Sequence, residues 1–150
     1  MPCQNPLASV ILPVYNGQET VLLTIQSIID QSSSNFELLV CDDASTDQSR
    51  DILSKVDDPR ITIYHNKSNL GLGKTLNKLI SLTNKNSVYI STIEQDDIYK
   101  PYYLKDGINY LERNIDFGLV SGISEFWDGK KIARRFPGIL INGGNYPRGK

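Results

Sequence analysis

The chain has 150 residues, 39% of them hydrophobic, with 16 basic and 17 acidic side chains and a formal net charge of -1. A chain of this length buries roughly 70% of its unfolded surface, so it can build a core without disulfides or a structural metal. The balanced, well-mixed charge argues against a nucleic-acid-binding arm and against a polybasic membrane anchor. Cys3, Cys41 and the single His65 give neither a disulfide framework nor zinc-ligand spacing. No apolar run reaches the ~20 residues that span a bilayer. The opening MPCQNPLAS lacks the charged-then-apolar pattern of a secretory leader. These features give the expectation of one domain, 1–150, in the reducing cytoplasm.

Short apolar runs alternate with helical patterns. Ser9 to Val14 reads as a buried strand. Asn16 and Glu19 have capping-box spacing, ahead of a helix with Leu22, Ile25 and Ile29 on one face. Phe36 to Cys41 is a second strand. Ser45 and Gln48 form another capping-box pair, before a short helix carrying Ile52, Leu53 and Val56 and ended by Asp58-Pro59. Arg60 to Tyr64 is a third strand, and Leu72, Leu76, Leu79 and Ile80 mark a helix. Ser87 to Ile93 is a fourth strand. Pro101 suits a helix first turn, continued by Leu104, Ile108 and Leu111, with Gly107 as a weak point. Phe117 to Ile123 then reads as a strand, and Asp128-Gly129 as a hairpin turn. The tail from Pro137 shows no clear period.

This alternation, with strands apolar on both faces, indicates an α/β fold: a mostly parallel sheet with helices on both faces. Ligands of such sheets bind beyond the carboxyl ends of the strands. Two acidic clusters fall there: Asp42, Asp43 and Asp47 in CDDASTD, and Glu94, Asp96 and Asp97 in IEQDD. The first could serve a helix N-terminus, where acidic residues complement the dipole. The second could be a solvated turn. Packed carboxylates repel one another, however, and are comfortable around a hard divalent cation whose shell phosphate oxygens complete. Gly71-Leu72-Gly73-Lys74 opens a helix and carries a cation, which suits a diphosphate. Two other phosphate motifs are excluded. GKT at 73–75 is no P-loop, because position 68 is Ser. No G-x-G-x-x-G follows the first strand.

VILPVYNG, FELLVCDDASTD, NLGLGKTLNKLI and YISTIEQDDIYKP occur in unbroken order over roughly residues 8 to 127. Together they resemble the nucleotide-sugar-binding half of family-2 glycosyltransferases, with the GT-A fold. The resemblance implies that Pro13, Val14 and Tyr15 line a base pocket, with Tyr15 beside a uracil-like ring. It implies that Asp43 accepts a hydrogen bond from the base, that Asp42 supports its loop, and that Lys74 lies near the diphosphate. Glu94-Gln95-Asp96 would be the family's DxD motif, with Glu94 in place of its first Asp. Asp96 and Asp97 would hold Mn²⁺ or Mg²⁺ against the diphosphate. The implied donor is a nucleotide-diphospho-sugar, by default a UDP-sugar, and the acceptor a carbohydrate or lipid-linked hydroxyl attacked with inversion. The implied setting is polysaccharide or glycolipid synthesis in the cytoplasm or at the inner face of the membrane.

Family members continue into an acceptor-binding half that supplies a general base. Nothing after Asp97 resembles that motif, and Glu125 and Asp128 read as hairpin residues. The chain is therefore expected to be a donor-binding domain, either cut from a longer enzyme or naturally short. Loss of a base would forfeit roughly 10²–10⁴-fold in rate. A non-catalytic nucleotide-sugar-binding module is the alternative. A nucleotidyltransferase ranks below both, since PVYNGQET after the first strand has no basic residue. His65 reads as a strand-edge residue, Cys41 as a buried one, Phe126 and Trp127 as hairpin packing, and Arg134 and Arg135 as a solvated turn.

Overall fold

The computed structural model describes residues 6–122, 124–127, 132–136 and 140–142. The chain forms two compact units, Met1–Tyr102 and Tyr103–Lys150.

The first unit is built on four parallel strands: β1 (Ala8–Val14), β2 (Phe36–Asp42), β3 (Ile61–His65) and β4 (Tyr89–Thr92), in the order β3-β2-β1-β4. Between them lie α1 (Val21–Ile29), α2 (Ser49–Leu53) and α3 (Leu72–Leu82). β1 is buried along its whole length, as a near-continuous apolar run, broken by Ser9 alone, requires of a central parallel strand. Alternation sends Ile11, Leu39 and Cys41 to one face, where Leu79 of α3 closes a core flanked by Tyr64 and Leu76. The opposite face carries Val10, Leu12, Leu38 and Val40, all fully buried, as are Val21, Ile25 and Ile28 of α1 and Leu53 of α2. Right-handed crossovers account for this split: the first two connections step one way along the sheet, and the third steps back across it. Burying Leu79 contributes about 1.5–3 kcal/mol.

Arg60, just before β3, closes an ion pair with Asp58 at 2.7 Å and lies 4.5 Å from the centroid of the Phe36 ring. α2 is shorter than its sequence suggests, ending at Leu53 rather than Val56. The fourth strand is also shorter; among the described strands β4 pairs with β1 alone, and its Ile90 is exposed.

In the second unit, α4 (Tyr103–Arg113) starts after Pro101, whose carbonyl accepts the Ser32 amide. Gly107 of α4 faces Val120, with room for a Cβ at ordinary contact distance. β5 (Phe117–Val120) pairs antiparallel with β8 (Leu140–Asn142), so the tail holds a strand that its irregular pattern hides. β6 (Ser124–Trp127) pairs antiparallel with β7 (Ile132–Phe136), the expected hairpin. Ile123, Asp128 and Gly129 lie outside the described residues, as do the side chains of Phe126, Trp127, Arg134 and Arg135.

Candidate functional site

A cleft of about 320 Å³ opens at the carboxyl ends of the central strands. It sits where the strand order reverses, between β1 and β4. It is lined by Pro13, Val14 and Tyr15 at the end of β1, by Asp43 just past β2, and by Glu94, Gln95 and Asp96 after β4. Asn69, Gly71, Leu72 and Thr75, around the start of α3, complete it. Asp43 and Asp96, 53 positions apart in the chain (96 minus 43), thus face one space.

Asp43 is 3% exposed and heavily hydrogen-bonded. Its Oδ1 accepts from Asn66 Nδ2 at 2.7 Å and from the Leu70 amide at 2.9 Å. Its Oδ2 accepts from the Gly71 amide at 2.8 Å. Burial alone would push this carboxyl up. The donors Asn66, Leu70, Gly71 and Thr75 outweigh it and hold the group below the ordinary aspartate range. Gly71 precedes α3 at φ 82°, a left-handed conformation that suits glycine. Asp43 therefore fixes the entry to α3 while lining the cleft.

Asp42 points elsewhere. It is buried, accepts from the Ser45 amide at 3.1 Å, and lies 3.3 Å from His65 Nδ1 at the end of β3. Its position is that of a loop support. Cys41 is fully buried, and burial raises its thiol despite Lys78 Nζ at 3.8 Å. Lys78 Nζ also donates to Asn66 Oδ1 at 2.6 Å, which orients the Asn66 amide toward Asp43. Lys74 is exposed in the first turn of α3 and is absent from the cleft wall.

Gln95 spends its side-chain amide on the backbone of Tyr15. Oε1 accepts from the Tyr15 amide at 2.8 Å, and Nε2 donates to the Tyr15 carbonyl at 3.0 Å. Its own carbonyl accepts from Thr24 Oγ1 of α1 at 2.7 Å. The flanking carboxylates sit on a turn closed by the Asp97 amide and the Glu94 carbonyl. Asp97 is exposed and outside the cleft wall, yet partial desolvation and then the Asp96 charge raise its carboxyl. Among the described residues no three acidic, His or Cys side chains converge as a ready-made metal cage.

The two capping-box pairs do other work. α1 starts at Val21 after Thr20, and α2 at Ser49 after Gln48, with no side-chain cap on either. Asn16 Oδ1 accepts from the Thr46 amide, Ser45 Oγ from the Asn16 amide, and Gln18 Oε1 from the Gln48 amide. Asp47, whose carboxyl is also lowered by hydrogen bonds that outweigh its burial, accepts from the amides of Gln18 and Ser49. These bonds stitch the β1–α1 loop to the β2–α2 loop beside the cleft. Asn69, Leu72 and Thr75 lie in the segment expected near the diphosphate, but none had an individual role there, and Asn66 had no site role. Gly71 marks where the chain turns into α3 beside Asp43.

A model of glycosyl transferase family 2 matches residues 9–147. An uncharacterized glycosyltransferase of Haemophilus influenzae is 39% identical over 111 residues, covering 73% of this chain and 34% of that protein. The Escherichia coli protein WfaP, named as a UDP-Glc:alpha-D-GlcNAc-diphosphoundecaprenol beta-1,3-glucosyltransferase, is 30% identical over 71% of this chain and 41% of its own length. TarS of S. aureus, solved in complex with UDP-GlcNAc, shares the fold with a TM-score of 0.69 at 23% identity, over 85% of this chain and 37% of that one. The chain spans a third to a half of the length of the curated relatives it matches. A parallel sheet with the GT-A fold and a family match across nearly its whole length make this chain a member of glycosyl transferase family 2.

Proposed function

We propose that the protein transfers a sugar from a UDP-sugar to a hydroxyl acceptor, with inversion, in the assembly of a polysaccharide or glycolipid. The observation that carries this reading is the cleft shared by Asp43 and Asp96 at the reversal of strand order. The uracil ring lies against Tyr15, beside Pro13 and Val14. Asp43 reads a base N–H by exchanging one of its side-chain donors, Asn66 or Thr75, for the base. The diphosphate extends toward Glu94 and Asp96, with Lys74 contributing positive charge from the first turn of α3.

The donor set fits a hard divalent cation, Mn²⁺ or Mg²⁺, which takes one or two carboxylates and completes its shell with phosphate oxygens. Asp96 and Asp97 would supply those carboxylates; desolvation and then the Asp96 charge raise the Asp97 carboxyl, and a cation would offset the second of these. When bound, the cation stabilises the negative charge that grows on the departing UDP. The name of WfaP supports a lipid-linked acceptor. No described helix is long and apolar enough to cross a membrane. We place the protein in the cytoplasm or on the inner face of the membrane.

Calorimetric titration with UDP and Mn²⁺ tests the reading, and a folded sample that binds neither at millimolar concentration overturns it. Glu94, standing where the family's motif has Asp, favours a second reading: a nucleotide-sugar-binding module without transfer. Slow hydrolysis of a UDP-sugar that Asp96→Ala abolishes would reject that second reading.

A further inference from the structure

We propose that Gln95 is a positioning residue that locks the base wall of the cleft to its carboxylate turn. The inference rests on the donor-binding reading above and adds to it a device that joins the two ends of the ligand site. Gln95 lies between Glu94 and Asp96 in the acidic turn, but its amide is directed at β1. Both polar atoms of that amide are engaged by the Tyr15 peptide, at 2.8 and 3.0 Å. Its carbonyl is held by Thr24 of α1 at 2.7 Å. The residue that bears the base-facing ring and the turn that bears the phosphate-side carboxylates are thus tied through one side chain.

Gly17 shows the same clamp from its other side. A Cβ at that position would sit 2.7 Å from Gln95 Oε1 and 2.8 Å from Cδ. Gly17 has no positive φ, so its backbone would accept alanine. What excludes a side chain there is the Gln95 amide itself. Both Gly17 and Gln95 are then explained by one contact, and substitution at either should break it.

A ligand with a base at one end and a cation-bridged diphosphate at the other binds as a two-headed molecule. The second head gains from the first only while the distance between their sites is fixed. Loosening that distance lowers the mutual enhancement, which by linkage is the same seen from either end.

The full 150-residue chain is titrated calorimetrically with uridine, with UDP, and with UDP plus Mn²⁺. Thermal midpoints are recorded for every variant. Gln95→Ala and Gly17→Ala are each expected to cut the gain in UDP affinity that Mn²⁺ confers by about tenfold. The double variant should be no worse than Gln95→Ala, because without the amide the added methyl meets nothing. If Gln95→Ala does not fold, Gln95→Met keeps the bulk and removes both hydrogen bonds, with the same expected loss. An unchanged Mn²⁺ gain in folded variants, or additive losses in the double variant, overturns the lock alone. Wild type that binds no UDP even with Mn²⁺ overturns the donor-binding reading and the lock with it.

Discussion

Asp43 Oδ2 accepts the backbone amide of Gly71 at 2.8 Å, so the end of β2 holds the first residue before α3. The same carboxylate accepts the Leu70 amide through its other oxygen. Both oxygens are therefore needed as acceptors. Asp43→Asn keeps the size but turns one acceptor into a donor, leaving a buried amide facing another N–H. The cost of such a mismatch is about 1–3 kcal/mol. For a chain of this size that lowers the thermal midpoint by about 5 °C, measurable by circular dichroism. An unchanged midpoint would show that the α3 entry is held without this carboxylate.

Acid should act on the fold and on cation binding in two separate pH windows. Asp43, Asp47 and Asp58 all have lowered carboxyls; at Asp58 the Arg60 side chain is the main cause. A lowered folded value means that the unfolded chain binds the extra protons first. The stability these groups contribute is present above the ordinary aspartate value of about 3.9 and is lost as pH falls below it. Asp97 is shifted the opposite way, by desolvation and by Asp96. Its protonation begins at higher pH, so Mn²⁺ affinity should decline on acidification before the fold does. Urea unfolding and Mn²⁺ titration across the same pH series check this. Coincident declines would remove Asp97 from the cation site.

The central strands were legible because β1 and β2 are apolar on both faces, a pattern with few other solutions. The cleft was legible because strand ends are where such sheets place ligands, and Tyr15, Asp43 and Asp96 all fall there. The loop chemistry was hidden. Asn16 and Ser45 have the spacing of helix caps, yet each finds its partner across the cleft edge rather than three residues along. Local spacing cannot distinguish a cap from a cross-loop bond, since either puts a side-chain oxygen on a free backbone amide. Gln95 illustrates the same limit: a glutamine inside an acidic run reads as a ligand contact, and its clamp on Tyr15 depends on an approach between residues 80 positions apart. β8 was missed because three residues carry too little pattern to mark a strand.

Ala44 adopts φ 60° directly after Asp43, a conformation that costs an L-residue roughly 1–2 kcal/mol. The turn that aims Asp43 at α3 therefore stores strain. Ala44→Gly should relieve it and, after the greater flexibility of the unfolded chain is counted, stabilise the fold by about 0.5–1 kcal/mol. Ala44→Val should destabilise it by more than that, because a β-branched side chain tolerates the left-handed region poorly. Denaturant unfolding of the two variants gives the sign of each. A destabilising glycine would mean that the conformation is not strained in the intact loop.

Tyr15 separates ligand binding from stability. Its side chain is 43% exposed, while its backbone is clamped by Gln95. Tyr15→Ala removes the ring but keeps that clamp, so stability should change by no more than about 0.5 kcal/mol, as for ordinary surface substitutions. Stacking of a base on an aromatic ring is worth about 1–3 kcal/mol, so UDP should bind roughly 5- to 150-fold more weakly. Inorganic pyrophosphate with Mn²⁺ has no base to stack, and its affinity should stay at the wild-type level. Calorimetry with both ligands distinguishes the outcomes. An equal loss for UDP and pyrophosphate would make Tyr15 a support of the phosphate side. No loss for either would place the base against another wall of the cleft.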